Sequence, residues 1–187
     1  MTQIYVRRAT DADFEEVTDL NPFPVELIGS RVTTRGDFFD TGLIRVPGVG
    51  AGVAYAASDT FGTYFEIQNL GRVPGGSFVI TTVMFYDLDD KGIGKTLHLF
   101  DTAPTLAADN AAWALADVDT LRIMPCSPLS VILPTDHVNG QTFKADVTAY
   151  GKCLPNSTSI FGALQTSGVE TITAGVEPYI RFIGFRD

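Results

Sequence analysis

Cysteine is scarce in this chain: Cys126 and Cys153 are the only two among 187 residues. Two thiols cannot build a disulfide framework or a four-cysteine zinc site. The expectation is two reduced thiols in a protein made in a reducing cytoplasm. Positive charge is scarce too. Thirteen Lys and Arg face 22 Asp and Glu, for a net charge of −9, and Arg7-Arg8 is the only adjacent basic pair. A sequence-independent nucleic-acid binder needs clustered cations to displace counterions from phosphates, so nucleic acid is not an expected partner. An acidic surface instead keeps a protein soluble at high local concentration. No stretch approaches the roughly 18 consecutive apolar residues of a membrane helix, so no membrane partner is expected. Residues 1–17, MTQIYVRRATDADFEEV, lack the apolar run of a secretory signal, and export by that route is not expected.

Catalytic signatures are also missing. There are two histidines, His98 and His137, and neither a G-x-S-x-G elbow nor an H-E-x-x-H pair occurs. Asp136 adjoins His137, but neighbours on an extended chain point opposite ways. Asp and Glu are abundant, yet no carboxylate pair stands out as a glycosidase site. No enzyme activity and no cofactor are therefore expected.

What is present is apolar, aromatic and rich in turns. Apolar residues make up 45% of the chain, with 13 Phe, 18 Gly and 10 Pro. The length suits one domain, or a domain plus an arm. Residues 1–50 differ in texture from the rest. Residues 3–9 read as a short strand, and residues 11–16 as the start of a helical turn. Asn21-Pro22-Phe23-Pro24 and the glycine cluster at residues 46–52 break regular structure. Apolar residues persist there, including Phe14, Phe23, Leu27, Phe38 and Phe39, which a disordered linker would lack. The reading is an extended N-terminal arm over residues 1–50, packing on its own domain or on a neighbouring subunit. With Trp113, these five are the candidate interface residues.

From residue 51 to residue 187 the pattern is strand, turn, strand. Phe61, Thr63, Phe65 and Ile67 alternate with Gly62, Tyr64, Glu66 and Gln68, the period of a half-buried strand. Residues 77–86 are apolar and β-branched on both faces, which reads as a central strand. In residues 95–100, Leu97 and Leu99 alternate with Thr96 and His98. Asp109 or Asn110 is placed to cap one short helix over residues 111–116. Alternation resumes around residues 120–124, 130–133, 143–150, 159–165, 171–173 and 179–185. Gly, Pro or Asn139-Gly140 punctuates nearly every junction. Eight to ten short strands with little helix predict an all-β protein: an antiparallel β-sandwich, with a jelly roll as the expected topology.

The turn after the central strand carries two imitations of known sites. Gly92-Ile93-Gly94-Lys95-Thr96 ends like a phosphate-binding loop, but position 89, where the first glycine belongs, is Asp89. Asp87-Leu88-Asp89-Asp90-Lys91-Gly92 begins like a calcium loop. It fails at the fifth position, Lys91, and at the twelfth, His98. Asp87, Asp89 and Asp90 remain as a weak calcium candidate; otherwise the turn is an acidic, solvated one.

Five segments carry a resemblance: Phe65-Glu66-Ile67-Gln68-Asn69, Val73-Pro74-Gly75-Gly76-Ser77, the acidic turn at residues 87–92, Leu97-His98-Leu99-Phe100-Asp101, and Ala108-Asp109-Asn110-Ala111-Ala112. Together, over about residues 50–125, the chain resembles a group of tailed-phage virion proteins with β-sandwich folds. The resemblance implies a capsid-decorating cement protein on the virion surface, assembled in the host cytoplasm. Its implied partners are the major capsid protein and further copies of itself, with a homotrimer favoured. A tail, baseplate or adhesin component is the alternative within the same class, and a carbohydrate-active jelly-roll enzyme is the alternative outside it.

Overall fold

The computed structural model describes residues 36–173 and 178–187, except for the side chain of Leu133. Within residues 1–35 it describes four strand backbones. Residues 1–35 and 36–187 form two compact units. In the first, β1 (Tyr5–Arg7) pairs antiparallel with β2 (Phe14–Glu16), and β3 (Glu26–Leu27) with β4 (Ser30–Arg31). Residues 14–16, read from sequence as part of a helical turn, are thus a strand. The side chains of Phe14, Phe23 and Leu27 lie outside the described residues.

The second unit is an antiparallel two-sheet sandwich. Its larger sheet has the order β12 (Leu133–Asp136), β13 (Gln141–Lys152), β9 (Ser77–Asp87), β16 (Tyr179–Arg186) and β5 (Asp37–Asp40), with β6 (Ile44–Arg45) also on β16. Its smaller sheet runs β11 (Leu129–Val131), β10 (Lys95–Phe100), β14 (Ile160–Thr166), β8 (Thr60–Ile67). A two-stranded pair joins β15 (Glu170–Thr171) to β7 (Ala54–Tyr55). The strand order establishes an antiparallel sandwich, which is coarser than the expected jelly roll. Residues 36–50 belong to this unit through β5 and β6, whereas the sequence reading placed them in the arm.

Alternation explains the core. In β9, Phe78, Ile80, Val83 and Phe85 point inward; in β10, Leu97 and Leu99 do; in β16, Ile180 and Phe182 do, and all are buried. Aromatic pairs weld the sheets, with Phe61 on Phe85 at 6.1 Å and Phe65 on Phe182 at 6.4 Å between ring centroids. Each such side chain contributes about 1.5–3 kcal/mol by leaving water. The bulge between Asp146 and Ala149 keeps β13 in register with β9 along its length.

Two departures from the sequence reading have clear causes. The strand read over residues 130–133 is not one strand, because the chain changes sheets at exposed Ile132, leaving Ser130 and Val131 in β11 of one sheet and Leu133 in β12 of the other. The expected helix over residues 111–116 is displaced to α1 (Asp117–Thr120). Asn110 takes a left-handed φ of 61°, and the Asp109 carboxylate turns towards β8 rather than capping a helix. The excursion from residue 101 to residue 128 covers the outer face of the small sheet. Phe100 and Ala163 alternate outward, away from the main core, yet are fully buried. Above them Trp113 stacks on His98 at 4.3 Å, and Ile123 bridges Phe100.

The edge strand β5 is held by an ion pair as well as by its ladder. Arg181 Nε donates to Asp40 Oδ1 at 2.7 Å and Nη2 donates to Oδ2, while Gly42 N–H donates to Oδ1 at 2.9 Å. The Arg181 guanidinium and the Gly42 amide hold the Asp40 carboxyl down at about 2, against an ordinary 3.8. A depressed carboxyl stabilises the fold above its unfolded value, and that contribution is lost as pH falls through about 2. Melting temperature should therefore decline as pH drops from 4 to 2, and Asp40→Asn should flatten part of that decline; parallel slopes for the two proteins would refute the assignment.

Close approach governs the middle of β16. Phe39 of β5 sits opposite Gly184, and a Cβ at Gly184 would lie 2.0 Å from the Val79 carbonyl oxygen and 2.9 Å from the Phe39 ring. Gly184→Ala should cost about 1–3 kcal/mol by overpacking, read as a lower urea midpoint at unchanged slope.

Candidate functional site

The acidic turn after β9 uses its carboxylates on its own backbone. Asp87 is buried; its Oδ1 accepts the Asp89 N–H at 3.0 Å, and its Oδ2 accepts those of Lys91 at 2.8 Å and Gly92 at 3.2 Å. Asp89 Oδ2 accepts the Thr173 N–H at 2.7 Å and pairs with Lys91 Nζ at 3.3 Å. Asp90 is exposed at a left-handed φ of 55°. The three aspartates of the calcium candidate therefore do not converge. Among the described residues no group of three His, Cys, Asp or Glu is placed to hold a metal ion.

The lysine that mimicked a phosphate-loop residue faces the other way. Lys95 shares its face of β10 with Leu97 and Leu99, so the strand delivers its ammonium into the core. Nζ lies 2.8 Å from Glu170 Oε1 and 3.0 Å from Oε2, and both side chains are 1% exposed. Nζ also donates to the Ile93 carbonyl at 2.8 Å. The Thr166 hydroxyl donates to Glu170 Oε1 at 2.7 Å. The rings of Phe61 and Phe85 lie 4.5 Å and 5.1 Å from Nζ, with their faces towards the charge. Burial pushes the Lys95 amine below its ordinary value, and the Glu170 carboxylate opposes that shift without cancelling it. Asp87 lines the same small cavity, which has no room for a water molecule. Sequence reasoning missed this pair. The signal was there in the period-two register of Lys95 with Leu97 and Leu99, but its partner is 75 residues away.

A second polar centre pins the 101–128 excursion to the sandwich. Asp109 accepts the Tyr55 hydroxyl at 2.8 Å, the Gly50 N–H at 2.9 Å and the Gly62 N–H at 2.7 Å. Gly62 has a φ of 72°, and a Cβ there would meet the Pro47 carbonyl oxygen at 2.5 Å. Burial, then the adjacent carboxylate, raises the Tyr55 phenol well above its ordinary value, which keeps it a donor. His98 under Trp113 is pushed below its ordinary value by burial and reaches Gln165 at 3.5 Å; His137 contacts Thr142 at 2.9 Å. Both thiols are free, and burial raises both.

The outward surface is where exposed aromatics gather. Phe38 pairs with Phe185, Phe185 with Val79, and Val79 with Tyr150. These residues form one transverse row across four strands of the large sheet. Phe38 is 62% exposed, Phe185 47% and Tyr150 67%, and the rings of Phe38 and Phe185 meet edge to face at 6.1 Å. Of the candidate interface residues that are described, only Phe38 is exposed. Phe39 is a core residue over Gly184, and Trp113 is half-buried on His98. Beside the row a cavity of about 440 Å³ opens between β5 and β8, lined by Phe38, Asp40, Glu66, Gln68 and Arg186. No family model, curated protein or solved structure matches the chain.

Removing one member of the buried pair strands the other. Lys95→Met should lower unfolding free energy by about 3–5 kcal/mol at neutral pH, because Glu170 is left as an unpaired buried carboxylate. Chemical denaturation at neutral pH checks this, and an unchanged midpoint would refute it.

Proposed function

We propose that the chain is a structural virion protein of a tailed phage, most specifically a capsid-decorating cement protein that bridges neighbouring major capsid subunits. The observation that carries the reading is the row Phe38, Phe185, Val79, Tyr150. A row of apolar side chains, three of them exposed aromatics, on an acidic protein has the composition of an interface core, where large side chains anchor and charged ones are depleted. The polar centres agree with this reading. Lys95, Glu170, Asp87 and Asp109 all hold strands and loops in place. The resemblance of residues 50–125 to virion sandwiches supplies the partner, and repeated copies around a capsomer supply the reason for a homotrimer.

One observation favours the tail or adhesin reading. The cavity between β5 and β8 combines an exposed aromatic with carboxylate, amide and guanidinium side chains, which is a composition suited to sugar hydroxyls. Copy number separates the two readings. A cement protein is present in proportion to capsomers, whereas a tail protein occurs in few copies, and quantitative mass spectrometry of the particle counts them.

The decorating reading makes a direct demand on the strip. Phe38→Ser and Tyr150→Ser remove exposed side chains and should leave stability within about 0.5 kcal/mol. Each should weaken binding to undecorated heads by about tenfold or more. Heads carrying the wild-type protein should rupture at a higher temperature than bare heads. Unchanged rupture temperature at full occupancy, or undiminished binding by both variants, would overturn the proposal.

A further inference from the structure

The surroundings of Lys95 and Glu170 are those of a condensation site as much as of a salt bridge. We propose that the two side chains join in an intramolecular amide, linking Lys95 Nζ to Glu170 Cδ with loss of one water. With Nζ 2.8 Å and 3.0 Å from the two carboxyl oxygens, Cδ lies about 3 Å from the nitrogen, and rotation of the carboxyl group about its Cγ–Cδ bond would turn its face to the amine for addition. Strand pairing holds both partners, because β10 fixes one and the β15 pairing with β7 fixes the other.

The step is balanced within the pair. A proton passes from the ammonium to the carboxylate, leaving an amine and a carboxylic acid. The Nζ lone pair adds to Cδ, and the carbonyl electron pair moves onto Oε1. Thr166, whose hydroxyl already donates to Oε1 at 2.7 Å, stabilises that oxyanion. A second proton leaves Nζ for Oε2, the Cδ–Oε2 bond breaks, and water departs. Nothing is oxidised or reduced, and no further reactant is needed.

The surroundings favour the products. The walls exclude water, the leaving group, and include the rings of Phe61 and Phe85. An uncharged amide is far cheaper to bury there than two ions. The amide would have one N–H and one carbonyl oxygen, and a partner for each is already in place. The Ile93 carbonyl accepts from Nζ, and the Thr166 hydroxyl donates to Oε1. Asp87 lines the same cavity, but its oxygens hold the N–H groups of Asp89, Lys91 and Gly92, so Glu170 is the acyl partner.

Intact-mass spectrometry of the purified, folded and then denatured protein is the test. The expected mass is one water below that of the sequence, with tryptic cleavage missing after Lys95. Tandem spectra should show a cross-linked peptide joining the Lys95 and Glu170 segments. Glu170→Ala and Lys95→Arg should each restore the full sequence mass. The wild-type measurement stands alone if a variant fails to fold. Full sequence mass in wild-type protein after prolonged incubation at neutral pH would overturn the proposal. So would water loss that persists in Glu170→Ala or that maps to Asp87 and Lys95.

Discussion

A lysine head group buried between two sheets is the constraint around which this sandwich is arranged. Lys95 enters the core because its strand alternates, and its polar nitrogen must then be met on every side. Glu170 meets it directly, the Ile93 carbonyl accepts a further hydrogen bond from Nζ, and the faces of Phe61 and Phe85 lie against it on the remaining side. Each partner comes from a different part of the chain: β8, β9, the turn before β10, and β15. The residues that solvate the lysine are therefore the same ones that set how β8 and β9 face each other across the core.

Acidic side chains hold the loops in the same manner. Asp87 gathers the amides of the turn after β9, Asp109 those of Gly50 and Gly62, Asp119 that of Thr105, Asp59 that of Ala56, and Asp187 that of Ser77. A carboxylate accepting amide hydrogens replaces the missing ladder where a strand ends. Much of the chain's excess of Asp is thus structural. The net charge of −9 partly reflects how the turns are built, and not only a preference for partners.

The strands were largely legible in the sequence: alternation marks residues 95–100 and residues 65–67, and the β-branched run at 77–86 marks the central strand. Within 61–67, however, Thr63 is exposed and Gly62 buried, because the β8–β14 pairing shifts register there. The irregular regions were less legible. The sheet change at Ile132 looks like a continuous strand, since both halves alternate and only tertiary pairing separates them. The Ala-rich run at 111–116 has helical propensity, but Asp109 spends its carboxylate on residues 47 and 59 positions earlier in the chain, counted from Gly62 and Gly50. The exposed strip was invisible for a related reason. Phe38 and Phe39 are adjacent and chemically identical, and only the pairing of β5 with β16 decides which one faces solvent. Tyr150 and Phe185 become neighbours of Phe38 only through β9 and β16.

The position of β16 has a kinetic consequence. It lies between β9 and the edge strands β5 and β6, so the earliest strands of the sandwich have no ladder partner until residues 179–186 arrive. Nearly the whole domain separates those partners in sequence, and closing so long a loop delays the contact that rewards it. The large sheet therefore completes late. Until it does, β9 presents an open edge beside an unfinished core, the state in which a β-protein is most exposed to pairing with another chain.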